Sequence, residues 1–321
     1  LERMTVDAVR GSVTIRRGGA RCRVDYLAPA GLAFTQHNRF TKPPIRGGPD
    51  QWHLTAGTTE RRRRIEAVAV IQPYRDAGLH PWNAYFAQRA APLGAVSAAT
   101  VAATFFNFNP RLVERSIPSV WEHISPDRAT ALRLEGTVAA IRRLVPDLPG
   151  DATLTELGDV FRSGMAKLEY AGRPLAAAHA AIEPPDGPLA SLWWAVTVLR
   201  EFRGDGHVAV LVTEDVGPIE ALITSSGYGD GTVEFYQKSR AWSLEQWETA
   251  VDRCRSKGWI DDKRALTATG RELRDRIEQS TDQTVAPAID ALGANLDRVI
   301  DAIKPISREI YLNGGVGSGS G

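Results

Sequence analysis

Residues 243–278, SLEQWETAVDRCRSKGWIDDKRALTATGRELRDRIE, constrain the fold more than any other stretch of this chain. Ser243 is placed to cap a helix, and Gln246 three residues on completes a capping box. Leu244, Trp247, Val251 and Cys254 then recur at helical spacing, which makes one face apolar. Gly258 stands where a helix C-terminus favours a left-handed residue. Trp259-Ile260 and Leu266-Thr267 read as two short extended pieces joined through Asp261-Asp262, a turn-forming pair. Thr269 with Glu272 is a second capping box, opening a long helix.

A short helix, a clipped two-strand turn and a long helix are the layout of a winged helix-turn-helix, with the first helix as the reading element. The spelling Lys257-Gly258-Trp259-Ile260, then Leu266-Thr267-Ala268-Thr269-Gly270-Arg271-Glu272-Leu273, resembles the C-terminal half of MarR-type regulators. Three more blocks are similar to an actinobacterial group of SalK-like helix-turn-helix proteins. They are Tyr85-Phe86-Ala87-Gln88-Arg89-Ala90-Ala91-Pro92-Leu93-Gly94, then Ala103-Thr104-Phe105-Phe106-Asn107-Phe108-Asn109-Pro110 continuing through Val113 to Pro118 and Trp121, and Leu199-Arg200-Glu201-Phe202-Arg203-Gly204-Asp205-Gly206-His207-Val208-Ala209. With residues 240–278 they span roughly 75–310. The resemblance implies double-stranded DNA as a partner and names no reaction. Its departure is residues 1–64, where the group opens with a short helical segment that only residues 61–78 loosely resemble.

The organisation follows from composition shifts. Residues 1–64 hold 13 Lys+Arg against 5 Asp+Glu, a balance of +8 in a chain whose net charge is +1. The remainder therefore carries −7. The first segment has little periodicity apart from a candidate hairpin around Gly18-Gly19, and residues 37–59 read as loop. With the run Arg61–Arg64 it reads as a basic, poorly ordered extension, or as a nucleic-acid-binding arm. Its Arg, Gly, Ala and Pro content also fits a segment read out of frame. Residues 65–183 read as a helical domain punctuated by prolines, with helices at 82–91, 97–108, 110–121 and 126–145 and two more beyond. Pro184-Pro185-Asp186-Gly187-Pro188 is the strongest linker signal, and residues 188–312 read as the winged-helix domain. There the pattern gives helices at 188–202, 205–213, 217–225 and 232–240. Gly227 to Gly231 form a joint, and the final helix breaks at Pro287. Residues 313–321 read as a flexible tail.

The fold class expected is mainly α: a helical N-terminal lobe, then a winged helix-turn-helix with a short two-stranded wing. No apolar run has membrane-spanning length and no signal sequence is visible, so a cytoplasmic protein is expected. Cys22 and Cys254 are far apart and no Cys/His spacing suits a metal. No cofactor motif is present: Gly227, Gly229 and Gly231 follow no strand and lack the dinucleotide spacing. P-loop, nucleophile-elbow and metalloprotease signatures are absent too, so an enzyme is not the leading reading.

Two sets of residues carry candidate chemistry. For DNA, Gln246, Thr249, Arg253 and Lys257 fall on the exposed face of the reading helix, and Lys263 and Arg264 on the wing. Arg pairs with guanine and Gln with adenine in the major groove. Against this stands charge: residues 189–279 hold 12 Lys+Arg and 15 Asp+Glu, a balance of −3, whereas DNA binding rests on cations. For a small molecule, Tyr85, Arg89, Phe105, Asn107, Trp193 and His207 set aromatic and polar groups on apolar helices. The plainer reading is core packing, with Asn107 capping toward Pro110. His207 similarly reads as a first-turn residue behind an Asp205 cap. The sequence thus predicts a ligand-responsive, homodimeric DNA-binding regulator. The alternative is a small-molecule protein, or an enzyme of specialised metabolism, on a winged-helix scaffold that has lost DNA.

Overall fold

The structure is a computed structural model describing residues 73–228 and 233–312, with the backbone of four strands within residues 3–35. Those strands are β1 (Arg3–Asp7), β2 (Ser12–Arg17), β3 (Ala20–Asp25) and β4 (Ala33–Thr35), an antiparallel meander in sequence order. Arg17 pairs with Ala20 between β2 and β3. The loop at 37–59, Arg61–Arg64, the residues 229–231 of the glycine joint and the tail at 313–321 lie outside the described residues.

From residue 73 the described chain is helical. An N-terminal group comprises α1 (Pro81–Ala90), α2 (Ala98–Phe105), α3 (Pro110–Glu114) and α4 (Pro126–Leu144). Next come α5 (Asp151–Met165), α6 (Pro174–Ala180) and α7 (Pro188–Thr213). Last are α8 (Pro218–Gly227), α9 (Val233–Arg240), α10 (Leu244–Ser256), α11 (Ala268–Leu292) and α12 (Leu296–Leu312). Proline opens α1, α3, α4, α6, α7 and α8, where its missing N–H costs nothing. Ser97, Asn109 and Ser125 cap α2, α3 and α4 by accepting from Thr100 N, Arg111 N and Arg128 N.

Three apolar cores result. The first gathers Phe86, Phe105, Phe108, Val113 and Leu132 from α1 to α4. The second draws Ile141, Leu157, Phe161, Leu192, Phe202, Val285, Val299 and Ile306 together from α4, α5, α7, α11 and α12. It therefore crosses the proline-rich stretch at 184–188, because α7 is buried almost all round and needs partners on every side. The amphipathic face of α12, with Val299, Ile303 and Ile310 buried, packs within the same chain. The third core is that of the helix-turn-helix.

Several sequence expectations change. The chain does not break at Gly204-Asp205-Gly206; α7 runs through it. Gly206 is there for space: a Cβ would lie 2.3 Å from Thr284 Oγ1 and 2.8 Å from Arg173 Nη1. Asp205 caps not its own helix but α6, accepting from Ala176 N at 2.9 Å. Pro287 lies inside α11, because burial of Val285, Ala288 and Leu292 around it outweighs the lost bond; the break comes at Gly293, with φ 52°.

The two-stranded wing is absent as well. A single bridge, Ile260 to Leu266, closes the turn. Asp261 takes up the intervening backbone, its Oδ1 accepting from Lys263 N and Ala265 N at 2.9 Å each. The next helix starts directly after, capped by Thr267 rather than Thr269, so no length is left for strands. Among the described residues no helix is long and apolar enough to cross a membrane.

Candidate nucleic-acid interface

Helix α9, the turn Ala241-Trp242-Ser243 and α10 form a helix-turn-helix. Ala241 takes a left-handed φ of 56°, which folds α10 back across α9. The capping box forms: Ser243 Oγ accepts from Gln246 N and Gln246 Oε1 from Ser243 N, both at 3.1 Å. Trp247, Ala250, Val251 and Cys254 are buried against Leu222, Tyr236, Trp259, Leu273 and Ile277. Burial pushes the Cys254 thiol up to about 12, so it is an apolar filler and not a nucleophile. Leu244, which the spacing places on the buried face, is instead 69% exposed. It occupies the first turn, ahead of the core.

The opposite face of α10 opens on a groove of about 690 Å³. Glu245, Gln246, Thr249 and Arg253 form one wall, and Arg111, Leu112 and Arg115 of the α3 segment the other. The walls are tied at one end. Asn109 N donates to Arg240 O at 3.1 Å, and Asn109 Nδ2 to Ala241 O at 2.9 Å and Gln246 Oε1 at 3.2 Å. Trp242 Nε1 donates to Asn107 O at 2.9 Å. Phe106, at a left-handed φ of 56°, packs against the helix-turn-helix core, and the Arg240 guanidinium lies 4.4 Å from the Phe108 ring. The segment 105–110 of the N-terminal lobe thus grips the turn.

Of the six DNA-contact candidates, Gln246, Thr249 and Arg253 line the groove, whereas Lys257, Lys263 and Arg264 do not. Most already have partners. Gln246 accepts from Ser243 and Asn109. Arg253 Nε donates to Glu220, a buried carboxylate that also accepts from Gly217 N and so holds the start of α8. Thr249 Oγ1 bonds back to Glu245 O at 2.8 Å. Lys257 Nζ reaches Asp215 Oδ2 at 2.8 Å and lies 4.5 Å from the Trp259 ring. Arg264 makes a fork onto Glu248 at 2.8 and 3.1 Å. Lys263 is exposed on the turn.

The six ligand candidates do not form one site. Tyr85, Arg89 and Phe105 do meet: Arg89 Nη1 donates to Tyr85 Oη at 3.2 Å, and the guanidinium sits 4.8 Å from the Phe105 ring. Arg89 also pairs with Glu201, whose buried carboxyl is nonetheless held down at about 2 because Arg200 and Arg89 outweigh the effect of burial. The same guanidinium, with that of Arg240, draws the buried Tyr85 phenol below its ordinary range. Asn107 is buried next to this cluster, but the cap of α3 is Asn109, not Asn107. Trp193 lies elsewhere, 5.2 Å from Arg133, which bonds His179 at 3.1 Å. The cleft there is only about 40 Å³, room for a water and not a ligand. Burial lowers the His179 imidazole to about 4. His207 is on the far side, its Nδ1 2.9 Å from Thr281 Oγ1. Burial, then Arg274 and Arg203, push it well below its usual range, so it stays neutral inside α7. Among the described residues no acid bonds it as an orienting partner for a general base. Among the described residues no cluster of His, Cys, Asp or Glu is arranged to hold a metal.

Asn109, Arg111, Arg115 and Trp242 carry the groove; the sequence reads Asn109-Pro110 only as punctuation between helices and Trp242 only as core bulk, and it gives Arg111 and Arg115 no role. A family model described as a helix-turn-helix family matches residues 62–316. Neither the curated proteins nor the solved structures contain a match.

Proposed function

The chain belongs to a helix-turn-helix family, and from that premise we propose that it is a DNA-binding transcriptional regulator of the cytoplasm, with α10 as its reading helix. One observation carries the reading. Helix α10 is anchored by Trp247, Val251 and Cys254 on one side and turns Glu245, Gln246 and Thr249 into an open, polar groove on the other. A helix fixed on one face and open on the other is what base reading requires. The MarR-like spelling supports it, although the short turn at 261–265 replaces a wing. Ligand response belongs to the same proposal, with Tyr85, Arg89 and Phe105 in the lobe that grips the turn. So does a homodimer, which must use a surface other than the α12 face already buried; a monomer by light scattering would remove it.

A second reading is favoured by the engagement of Gln246, Arg253, Lys257 and Arg264 within the chain. A groove of about 690 Å³ lies within the range of small-molecule sites. On this reading the scaffold has left DNA for a metabolite. Fluorescence anisotropy of the full chain against duplex from its own upstream region, at low and moderate salt with random competitor, separates the two. Saturable binding that survives competitor supports the regulator. No binding at either salt leaves the small-molecule reading.

A further inference from the structure

We propose that the N-terminal lobe supplies the basic half of the DNA-contacting surface, with Arg111 and Arg115 gripping backbone phosphates of the duplex that faces α10. The inference rests on the DNA-binding reading above and assigns the phosphate contacts that reading leaves open.

The helix-turn-helix region is acidic, at −3 over residues 189–279. The structure deepens the problem, because five of its cations are neutralised locally, and on the turn only Lys263 stands exposed without a carboxylate partner among the described residues. Arg253 pairs with Glu220, Arg255 with Asp252, Lys257 with Asp215, Arg264 with Glu248 and Arg276 with Glu214. A duplex that met this surface alone would find little positive charge, and phosphate neutralisation dominates affinity.

Arg111 and Arg115 change that balance. Both are exposed, both line the groove opposite Glu245 and Thr249, and among the described residues neither pairs with a carboxylate. They stand four positions apart, one turn, so both side chains project from the same side of α3. The groove lining holds Arg111, Arg115 and Arg253 against Glu245. With Arg253 balanced by Glu220, the remaining positive charge is theirs. Their placement is also rigid. Four hydrogen bonds, from Asn109 to Arg240, Ala241 and Gln246 and from Trp242 to Asn107, fix this wall to the turn that carries α10. Two guanidiniums held at a set distance from a reading helix, on an open polar groove, match a phosphodiester strand running past that helix. Such contacts position the duplex and carry no sequence information.

The test is a salt series of anisotropy titrations on the full chain with a random-sequence duplex, where phosphate contacts dominate. Wild type, Arg111→Gln/Arg115→Gln, Arg111→Lys/Arg115→Lys and Arg142→Gln, an exposed α4 control, are compared. The Gln pair should weaken binding at least about tenfold at low salt, with the slope of log K against log salt shallower by about 1.8 for two lost phosphates. The Lys pair and the control should keep the wild-type slope. Wild-type binding with an unchanged slope in the Gln pair overturns the assignment and leaves the regulator standing. A wild type that binds no duplex overturns both.

Discussion

Replacing Asn109 tests whether the N-terminal lobe and the helix-turn-helix act as one body. Asn109 does three things with one side chain. Its Oδ1 caps α3 through Arg111 N at 3.0 Å, and its Nδ2 bridges to Ala241 O and Gln246 Oε1. Asn109→Ala loses the cap, about 1 kcal/mol. It also strips Ala241 O of this donor, about 1 kcal/mol more, and Gln246 Oε1 loses one of two donors, a smaller amount because Ser243 N remains. The total is about 2–3 kcal/mol, or roughly 3–5 °C in melting temperature for a chain of this size. Asn109→Asp separates the parts. It keeps the cap but has no N–H to give, and it sets a carboxylate oxygen against two acceptors. It should lose at least half as much as Asn109→Ala. Differential scanning calorimetry of the full chain reads both. A melting temperature for Asn109→Ala within about 1 °C of wild type, or an Asn109→Asp indistinguishable from wild type, would refute the bridge.

Two further effects belong to the packing of α7. Burial, offset in part by Ala176 N–H, raises the Asp205 carboxyl to about 7, against about 3.9 unfolded. A raised carboxyl favours the fold most below about pH 4 and loses that contribution as the pH climbs through 7. Asp205→Asn, which still accepts from Ala176 N, should therefore gain on wild type between pH 5 and pH 8, by at most about 3 kcal/mol, in thermal melts at the two pH values. Gly206→Ala should destabilise by about 1–3 kcal/mol in urea unfolding, because its Cβ would overlap Thr284 Oγ1. An unchanged midpoint would mean that α7 and α11 can part freely.

What could be read from the chain and what could not divides by sequence distance. The Ser243–Gln246 box and the Ser97 and Ser125 caps are legible because a cap needs only residues three apart. The prolines that open six helices are legible for the same local reason. The break expected at Gly204-Asp205-Gly206 follows local propensity correctly, but the need for space against Thr284 lies 78 residues away. Asp205 reads as a cap and is one; the helix it serves, α6, is set by tertiary packing. The wing fails because Asp261 satisfies by its side chain the N–H groups that a second strand would have paired. Arg111 and Arg115 carry no local signal at all. They reach α10 only because Asn109, more than 130 residues away in sequence, bonds to Ala241 and Gln246. Summing charge over the recognisable module therefore misses two cations that face its reading helix across the groove.

That separation between reading and gripping can be tested at Leu244. It is an apolar side chain, 69% exposed, at the first position of α10, where it contributes little to the core. The tip of a reading helix is the part that meets base edges, and an apolar group there suits a thymine methyl. Leu244→Ser should leave the melting temperature within about 2 °C, since little buried area is lost. It should also leave random-sequence binding and its salt slope intact, because Leu244 touches no phosphate in this scheme. Preference for the cognate upstream duplex over random duplex should fall by about 1–3 kcal/mol for one lost base contact. The Arg111/Arg115 pair should behave in the opposite way, weakening both duplexes alike. If Leu244→Ser instead lowers the melting temperature as a core substitution would, its exposure is wrong and α10 docks deeper than the structure shows. If both variants weaken both duplexes equally, α10 adds no base reading, and the helix-turn-helix serves only to hold the phosphate grip.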